Sequence, residues 1–291
     1  SCTRFITNNL STSSKNWFIF SYSIVLISQI LRMNYWIMLK LIMSNFWKNE
    51  VPKGYYDTSI LFDKKSKRNI QSNWHKKTFS AVNSYIKDDD IVLDFACGSG
   101  TFLGKYVKNS NSIGVDISKN QINYASEKYG NFGSFFYLEN FSFEEYENYF
   151  DKITCLGLFE FITSEEAEDY LEKFKYCLKE DGRLILTTPN FVIFMNIIEF
   201  ILSKFGKLNY SNQYKVKYNS NFLNSTVRKN GLFVCKIEKI ISSFIFLSLL
   251  IGKTAIKLDK LYGKLFNNKF GLLILAEIKK WIKIYQLFFQ H

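Results

Sequence analysis

Residues 91–103, Ile-Val-Leu-Asp-Phe-Ala-Cys-Gly-Ser-Gly-Thr-Phe-Leu, constrain the fold more than any other run in the chain. Ile91, Val92 and Leu93 read as a short apolar strand that Asp94 closes. Gly98 and Gly100 make the turn that follows, and Thr101 to Val107 reads as the first turns of a helix. An apolar strand, a glycine turn and a helix N-terminus in that order make a site for a nucleotide-like ligand. Glycine has no Cβ, so a ligand can come close to the backbone. A lone glycine pair is also no more than a tight turn, so the neighbouring sequence has to decide.

Residues 112–117, Ser-Ile-Gly-Val-Asp-Ile, read as a second strand ending in Asp116, 18 residues after Gly98. That spacing is close to the one expected of an acid that takes ribose hydroxyls. A carboxylate can accept a hydrogen bond from each hydroxyl of a vicinal diol. The other reading of Asp116 is the N-cap of a helix over 118–128, a task that Ser118 can do itself. Phe135–Leu138, Phe150–Leu158 and Arg183–Thr188 read as three further strands, with an amphipathic helix at Tyr170–Leu178 and a turn at Asp181-Gly182. Strand and helix patterns that alternate from 90 to 190 predict a parallel sheet with helices on both faces. With 291 residues the chain can bury a sizeable core, and no internal repeat is visible.

Asp94, Ala96, Gly98 and Gly100 stand in the frame Asp/Glu-x-Gly/Ala-x-Gly-x-Gly. This resembles the first motif of the class I S-adenosylmethionine-dependent methyltransferases, in the branch that acts on small molecules, lipids or glycans. The likeness covers residues 50–190 and returns more weakly at 230–280. It implies an α/β fold, a Rossmann-like doubly wound seven-stranded sheet with a final antiparallel hairpin from Leu232–Ile240 and Gly271–Ile278. It also implies a helical cap at 43–89, a cofactor-binding core at 90–190, an acceptor lid and final strands at 191–280, and a tail at 281–291. The cofactor implied is S-adenosylmethionine, held by Asp94, Ala96, Cys97, Gly98, Gly100 and Asp116. Ile117 would pack on adenine, Leu156 at the end of the fourth strand would face the methionine part, and the Glu139-Asn140-Phe141 run would meet the adenine amino group. Between Glu139 and Asn140 the choice stays open. The rival is a nicotinamide dinucleotide fold, whose third glycine would fall on Leu103, one residue before Gly104. An acid at Asp94 would repel a pyrophosphate, whereas it attracts a sulfonium and an ammonium.

The chain departs from the family where many members carry Glu-His after the fourth strand. Here the pair is Glu160-Phe161, and phenylalanine cannot take a proton. Of the two histidines, His291 ends the chain and His75 lies on the helix before the first strand. In the family that helix often folds over the ligand pocket. His75 is therefore the candidate catalytic base, against a bland reading as a surface or Trp74-packed histidine. The five cysteines are scattered without a Cys-x-x-Cys pair, which argues against structural zinc and against a disulfide framework. No metal site and a reduced, cytoplasmic setting are expected.

Charge is unevenly placed. Residues 201–291 hold 16 Lys/Arg against 3 Asp/Glu, while the whole chain has a formal net charge of +12. Apolar stretches interleave with these lysines, which suits contact with the inner face of a membrane or a lid over a greasy acceptor better than a nucleic-acid groove. Tyr214, Lys215 and Lys217 are the candidate acceptor contacts, in a segment that the family places over the acceptor. Residues 17–31 are uncharged but shorter than the ~20 residues a spanning helix needs. Residues 1–42 therefore read either as a stretch outside the folded protein, with Met43 as the start, or as a membrane anchor. The expected activity is methyl transfer to a small-molecule, lipid-linked or glycan acceptor, at oxygen. The alternatives are a non-catalytic binding protein with this fold and an RNA methyltransferase.

Overall fold

Val92–Phe95 is buried along its whole length, and its alternate residues feed two different cores. Leu93 and Phe95 point to one face of a sheet, Val92 to the other. That alternation is what a strand covered by helices on both sides requires. The computed structural model describes residues 46–58, 70–191, 213–252, 254–265 and 271–281. The chain divides into two units, 1–50 and 51–291. Of the first, only the short π-helical turn Phe46–Glu50 is described. The reading of 1–42 lies outside the described residues, as do residues 192–212 of the expected lid and the tail from 282.

In the second unit seven strands form one sheet in the order β3-β2-β1-β4-β5-β7-β6. They are β1 Val92–Phe95, β2 Ile113–Asp116, β3 Ser134–Tyr137, β4 Phe150–Leu156, β5 Leu178–Pro189, β6 Leu232–Ile240 and β7 Leu273–Lys280. The first five are mutually parallel, and β7 runs antiparallel between β5 and β6. The helices are α1 Ile70–Asn83, α2 Lys119–Tyr129, α3 Ser164–Cys177, α4 Ser220–Lys229, α5 Ser248–Ile251 and α6 Thr254–Leu265. α3 and α4 cover the face of Leu93, Ile153 and Leu184 with Leu171, Phe174, Leu223 and Val227. α1 covers the opposite face with Phe79 and Val82 against Val92, Ile185 and Leu275. The expected doubly wound seven-stranded sheet is therefore present. No helix among the described residues is long and apolar enough to cross a membrane.

Three local expectations are corrected. α3 begins six residues before the predicted Tyr170, because Thr163 and Glu166 form a reciprocal capping box that fixes its N-terminus. β5 extends back to Leu178, with the Asp181-Gly182 turn as an irregularity between the Leu178 and Arg183 pairings. The helix after the glycine turn widens into a π-turn at Leu103–Val107, closed by the Lys108 N–H donating to the Leu103 carbonyl at 2.8 Å. Gly104 lies against Tyr129 of α2, where an added Cβ would come 2.2 Å from the ring. The glycine that stands one residue late for a dinucleotide fingerprint thus serves helix packing. β6 and β7 pair as the expected final hairpin, with α5 and α6 in the connection between them.

The cap is fastened by one carboxylate. Asp57 is fully buried and meets Lys105 at 2.8 Å, Tyr124 Oη at 2.6 Å, Tyr129 Oη at 2.8 Å, and Lys128. Burial alone would raise its pKa, but these partners outweigh it and hold the group at about 2, against an ordinary 3.8. Its contribution to stability is present above the unfolded value near 3.8 and is lost as pH falls towards 2. Asp57→Ala should cost about 2–4 kcal/mol at neutral pH, since it leaves two lysines without their buried partner. Urea unfolding checks this. The wild type should lose most of the difference between pH 4 and pH 2, the variant little of it.

Candidate active site

The carboxyl ends of β1, β2 and β4 carry Asp94, Asp116 and Leu156 to one edge of the sheet. Ligands of open parallel sheets bind at this edge, in the crevice where neighbouring connections leave in opposite directions. The loop after β1 is bent sharply: Ala96, Gly98 and Gly100 all have positive φ, at 63°, 53° and 69°. At Ala96 that conformation is strained and tolerates only a small side chain well. Cys97 donates its N–H to Val115, and Gly98 donates its N–H to Asp116 Oδ2 at 2.8 Å. Asp116 Oδ1 accepts from the Ser118 N–H at 2.8 Å, while the Ser118 side chain makes no cap bond. The expected division of labour is thus reversed, and Asp116 serves the start of α2 itself. A carboxylate has about four acceptor positions, so capacity remains for a hydroxyl.

Three carboxyl groups lie at this edge, Asp94, Asp116 and Glu160. Asp94 and Glu160 are 2% and 3% exposed, and Asp116 is half-buried. Burial pushes Asp94 up to about 7, against a donated hydrogen bond from Thr154 Oγ1 at 2.7 Å, and the charge of Asp116 pushes the same way. Burial likewise raises Glu160 to about 7, although Thr188 Oγ1 donates to its Oε2 at 3.0 Å. Asp116 is raised by burial as well, with backbone N–H donors opposing. Among the described residues no Lys or Arg forms an ion pair with any of the three. Such a group of acids is short of positive charge, and a sulfonium with an ammonium would supply it. The residues present therefore fit S-adenosylmethionine. No group of His, Cys, Asp and Glu among the described residues could hold a metal ion.

The other expected contacts fall in several places. Ile117 is half-buried just past β2, and Glu139 and Asn140 are exposed in the turn after β3. Phe141 lies in the core, stacked on Tyr146 at 5.1 Å and edge-on to Phe143 at 5.0 Å. Its ring is thus held by aromatic packing. An added Cβ at Gly100 would meet Phe135 and Ala125 at 2.7 and 2.8 Å, so this glycine's missing side chain serves α2 packing. The Cys97 thiol is pushed well above its ordinary range, first by burial and then by Asp116 and Asp94, which keeps it protonated.

His75 stands between Tyr56 and Phe79, with ring centroids 5.7 Å from each. Burial lowers its pKa to about 4, so the imidazole is neutral near pH 7. Tyr56 and Glu160 were not foreseen as site residues. Tyr56 covers Gly98, where a Cβ would come 2.8 Å from its ring, and it feels the charges of Asp116 and Glu160. The signal for Glu160 was the acid retained beside Phe161; for Tyr56 no local pattern singled it out.

In the segment expected over the acceptor, Tyr214 stacks on Phe161 at 5.2 Å and 12°; Phe161 stands where many members of the resembling family have histidine. Tyr214 also meets Phe191 edge-on at 5.2 Å. Trp74, Tyr214 and Phe246 pack around buried Phe191 and Leu272. The segment is held by the Lys215 N–H, which donates to the Glu160 carbonyl at 2.8 Å. The Lys215 side chain pairs with Glu166 at 3.2 Å, and Lys217 Nζ sits 5.4 Å over the Phe191 ring. Lys215 therefore already has a counter-charge, and Lys217 is the more exposed of the two.

Residues 56–233 match the family model described as mycolic acid cyclopropane synthetase. The S-adenosylmethionine-dependent methyltransferase UmaA of Mycobacterium tuberculosis is 29% identical over 101 residues, covering 33% of this chain and 35% of that protein. The chain thus spans about a third of the length of the curated relative it matches. Among solved structures, magnesium protoporphyrin IX methyltransferase from Synechocystis PCC 6803 with bound SAH aligns at TM-score 0.50 and 16% identity, over 78% of this chain and 97% of that one. A SAM-dependent methyltransferase from Archaeoglobus fulgidus aligns at TM-score 0.50 and 21% identity, over 76% and 98%. At these identities the likeness is one of fold.

The acidic site has a pH signature. A carboxyl group raised from 4.5 to about 7 contributes stability that is complete below 4.5 and lost as pH rises through 7. Glu160→Gln should therefore leave stability at about pH 5 little changed and raise it at about pH 8 by up to ~3 kcal/mol. Chemical denaturation of the ligand-free protein at both pH values reads the difference.

Proposed function

Because this chain belongs to the mycolic acid cyclopropane synthetase family, we propose that it transfers the methyl group of S-adenosylmethionine to an apolar, lipid-like acceptor. The observation that carries the reading is the pairing of two unlike surfaces at one sheet edge. Asp94, Asp116 and Glu160 form an anionic group, and Trp74, Tyr214 and Phe246 form an aromatic wall around Phe191. Bound at the first, S-adenosylmethionine supplies a methyl group already activated on a sulfonium. The second suits alkyl chains and offers little to a polar glycan or a base edge. Asp116 is assigned to the ribose hydroxyls, Ile117 to the adenine face, and Asp94 to the positive charge of the ligand. Glu139 and Asn140 are the candidates for the adenine amino group.

Transfer at a hydroxyl oxygen forms an O–C bond, breaks the S–C bond and frees one proton. We assign that proton to Glu160, whose pKa of about 7 leaves it partly ionised near neutral pH. His75, held at about 4, accepts protons far less well and is assigned a hydrogen-bonding role. A second reading follows the chemistry in the family's name, in which the acceptor is an alkene carbon and the proton leaves from carbon. Position on the acceptor side makes Tyr214 a contact of the acceptor, with Lys217 steering a negative head group. The basic C-terminal part would then be the side that meets anionic lipid, with the protein at the inner face of a membrane.

Incubation of the full chain with labelled S-adenosylmethionine and separated lipid, glycan and RNA fractions tests this. Label is expected in the lipid fraction, and the product's proton spectrum tells a methoxy group from a ring methylene. Label confined to RNA or glycan, or binding without any turnover, contradicts the proposal. Trp74→Ala and Tyr214→Ala should each raise the acceptor KM about tenfold, with cofactor affinity unchanged.

A further inference from the structure

α6 is mounted with its apolar side outward. Its buried residues are Ala255, Asp259 and Gly263, at four-residue spacing along one face. The opposite side carries Leu258, Leu261 and Leu265, which are 37%, 53% and 70% exposed. An amphipathic helix normally buries its leucines. Here the leucines stay outside, while Ala255 and Ile256 pack inward and Asp259 adds polar contacts. Asp259 is wholly buried, is ion-paired to Lys77 of α1, and accepts from Ser242 Oγ at 2.6 Å. The adjoining α5 is tied to α1 through Asn73 Nδ2 donating to Ser248 Oγ at 2.9 Å. α5 adds Leu250 and Ile251, 69% and 42% exposed.

The charge on this surface has one sign. Lys257, Lys260 and Lys264 are exposed and each immediately precedes one of the three leucines, so a basic stripe runs beside the apolar one. The only acid on α6 is Asp259, which faces inward. From the ridge and the stripe together we infer that α5 and α6 form a docking surface for a bilayer containing anionic lipid. Leucines at i, i+3 and i+7 with lysines beside them match the demands of the interface, with apolar chains below and phosphate head groups around. A second copy of the chain fits worse. A two-fold contact would set each lysine stripe against its own copy, and nothing acidic on α6 answers it. Phe246, in the turn between β6 and α5, packs on the aromatic wall of the acceptor side. The docking surface therefore adjoins the region where a lipid acceptor would be held. The inference rests on the lipid-like acceptor proposed above, and its test keeps the two apart.

The full chain and two full-chain variants are sedimented with vesicles of phosphatidylcholine, with and without phosphatidylglycerol. One variant carries Leu258→Ser, Leu261→Ser and Leu265→Ser, the other Lys257→Gln, Lys260→Gln and Lys264→Gln. All six positions are exposed, and cofactor affinity by calorimetry monitors the fold of each variant. The wild type should partition to vesicles with phosphatidylglycerol, less so at high salt. The leucine variant should bind them at least about tenfold more weakly, and the lysine variant should lose the preference for anionic lipid. Undiminished binding by the leucine variant, or no binding by the wild type, overturns the inference. So does a wild-type dimer in ultracentrifugation that the leucine substitutions dissociate, since the surface would then belong to a second copy. Methylation of detergent-dispersed acceptor is expected to survive both variants. Its absence in the wild type counts against the proposed activity, and not against the docking surface.

Discussion

The carboxylates at the carboxyl edge of the sheet are the constraint on which the site is built. Removing a charge from water is costly unless a partner compensates it. Asp94 and Glu160 are almost wholly enclosed and have hydroxyl donors, yet no described cation is paired with them. The fold compensates Asp116 with backbone instead, turning the N–H groups of Gly98 and Ser118 onto its two oxygens. That arrangement needs the left-handed conformations at Ala96, Gly98 and Gly100. The sharp turn after β1 and the acid at the end of β2 thus depend on each other. What remains is a deficit of positive charge at Asp94 and Glu160, which suits a cationic ligand.

The contrast with Asp57 shows what compensation does. Two lysines and two tyrosines surround that carboxylate, and its pKa falls although it is fully buried. Asp94 and Glu160 are buried to a similar degree and their pKa values rise. The same physics gives one acid a structural task and leaves the others without a cationic partner among the described residues. Asp57 also positions its neighbour: with residue 57 anchored to α2 and to the π-turn, Tyr56 is held over Gly98, beside Asp116 and Glu160. The cap therefore reaches the site through one fixed side chain.

Much of this was legible in the chain because the chemistry is local. Asp94, Gly98, Gly100 and Asp116 lie within one strand-turn-helix-strand unit, and the family resemblance they carry implied the doubly wound sheet. Apolar runs placed the first five strands, and the family resemblance implied the last two. Side chains whose role depends on distant partners were not legible. Asp57 meets Lys105, Tyr124, Lys128 and Tyr129 from far along the chain, and nothing next to it announces them. Phe141 reads as part of an adenine contact, yet three aromatic rings claim it for the core. Gly100 reads as room for a ligand, but Phe135 and Ala125 close in on it. The outward leucines of α6 escape any period-based reading, because periodicity gives the two faces of a helix but not which one is buried.

The central claim is that the ligand supplies the positive charge that Asp94 and Glu160 lack. Calorimetry of S-adenosylmethionine binding near pH 7, in two buffers of different ionisation enthalpy, tests it directly by counting protons. Carboxyl groups with pKa values of about 7 are partly protonated in the free protein, and a bound cation would drive them to ionise. Binding should release protons, affinity should increase as pH rises through 7, and the release should shrink in Asp94→Asn. Binding with no proton exchange and the same affinity on both sides of pH 7 would contradict it.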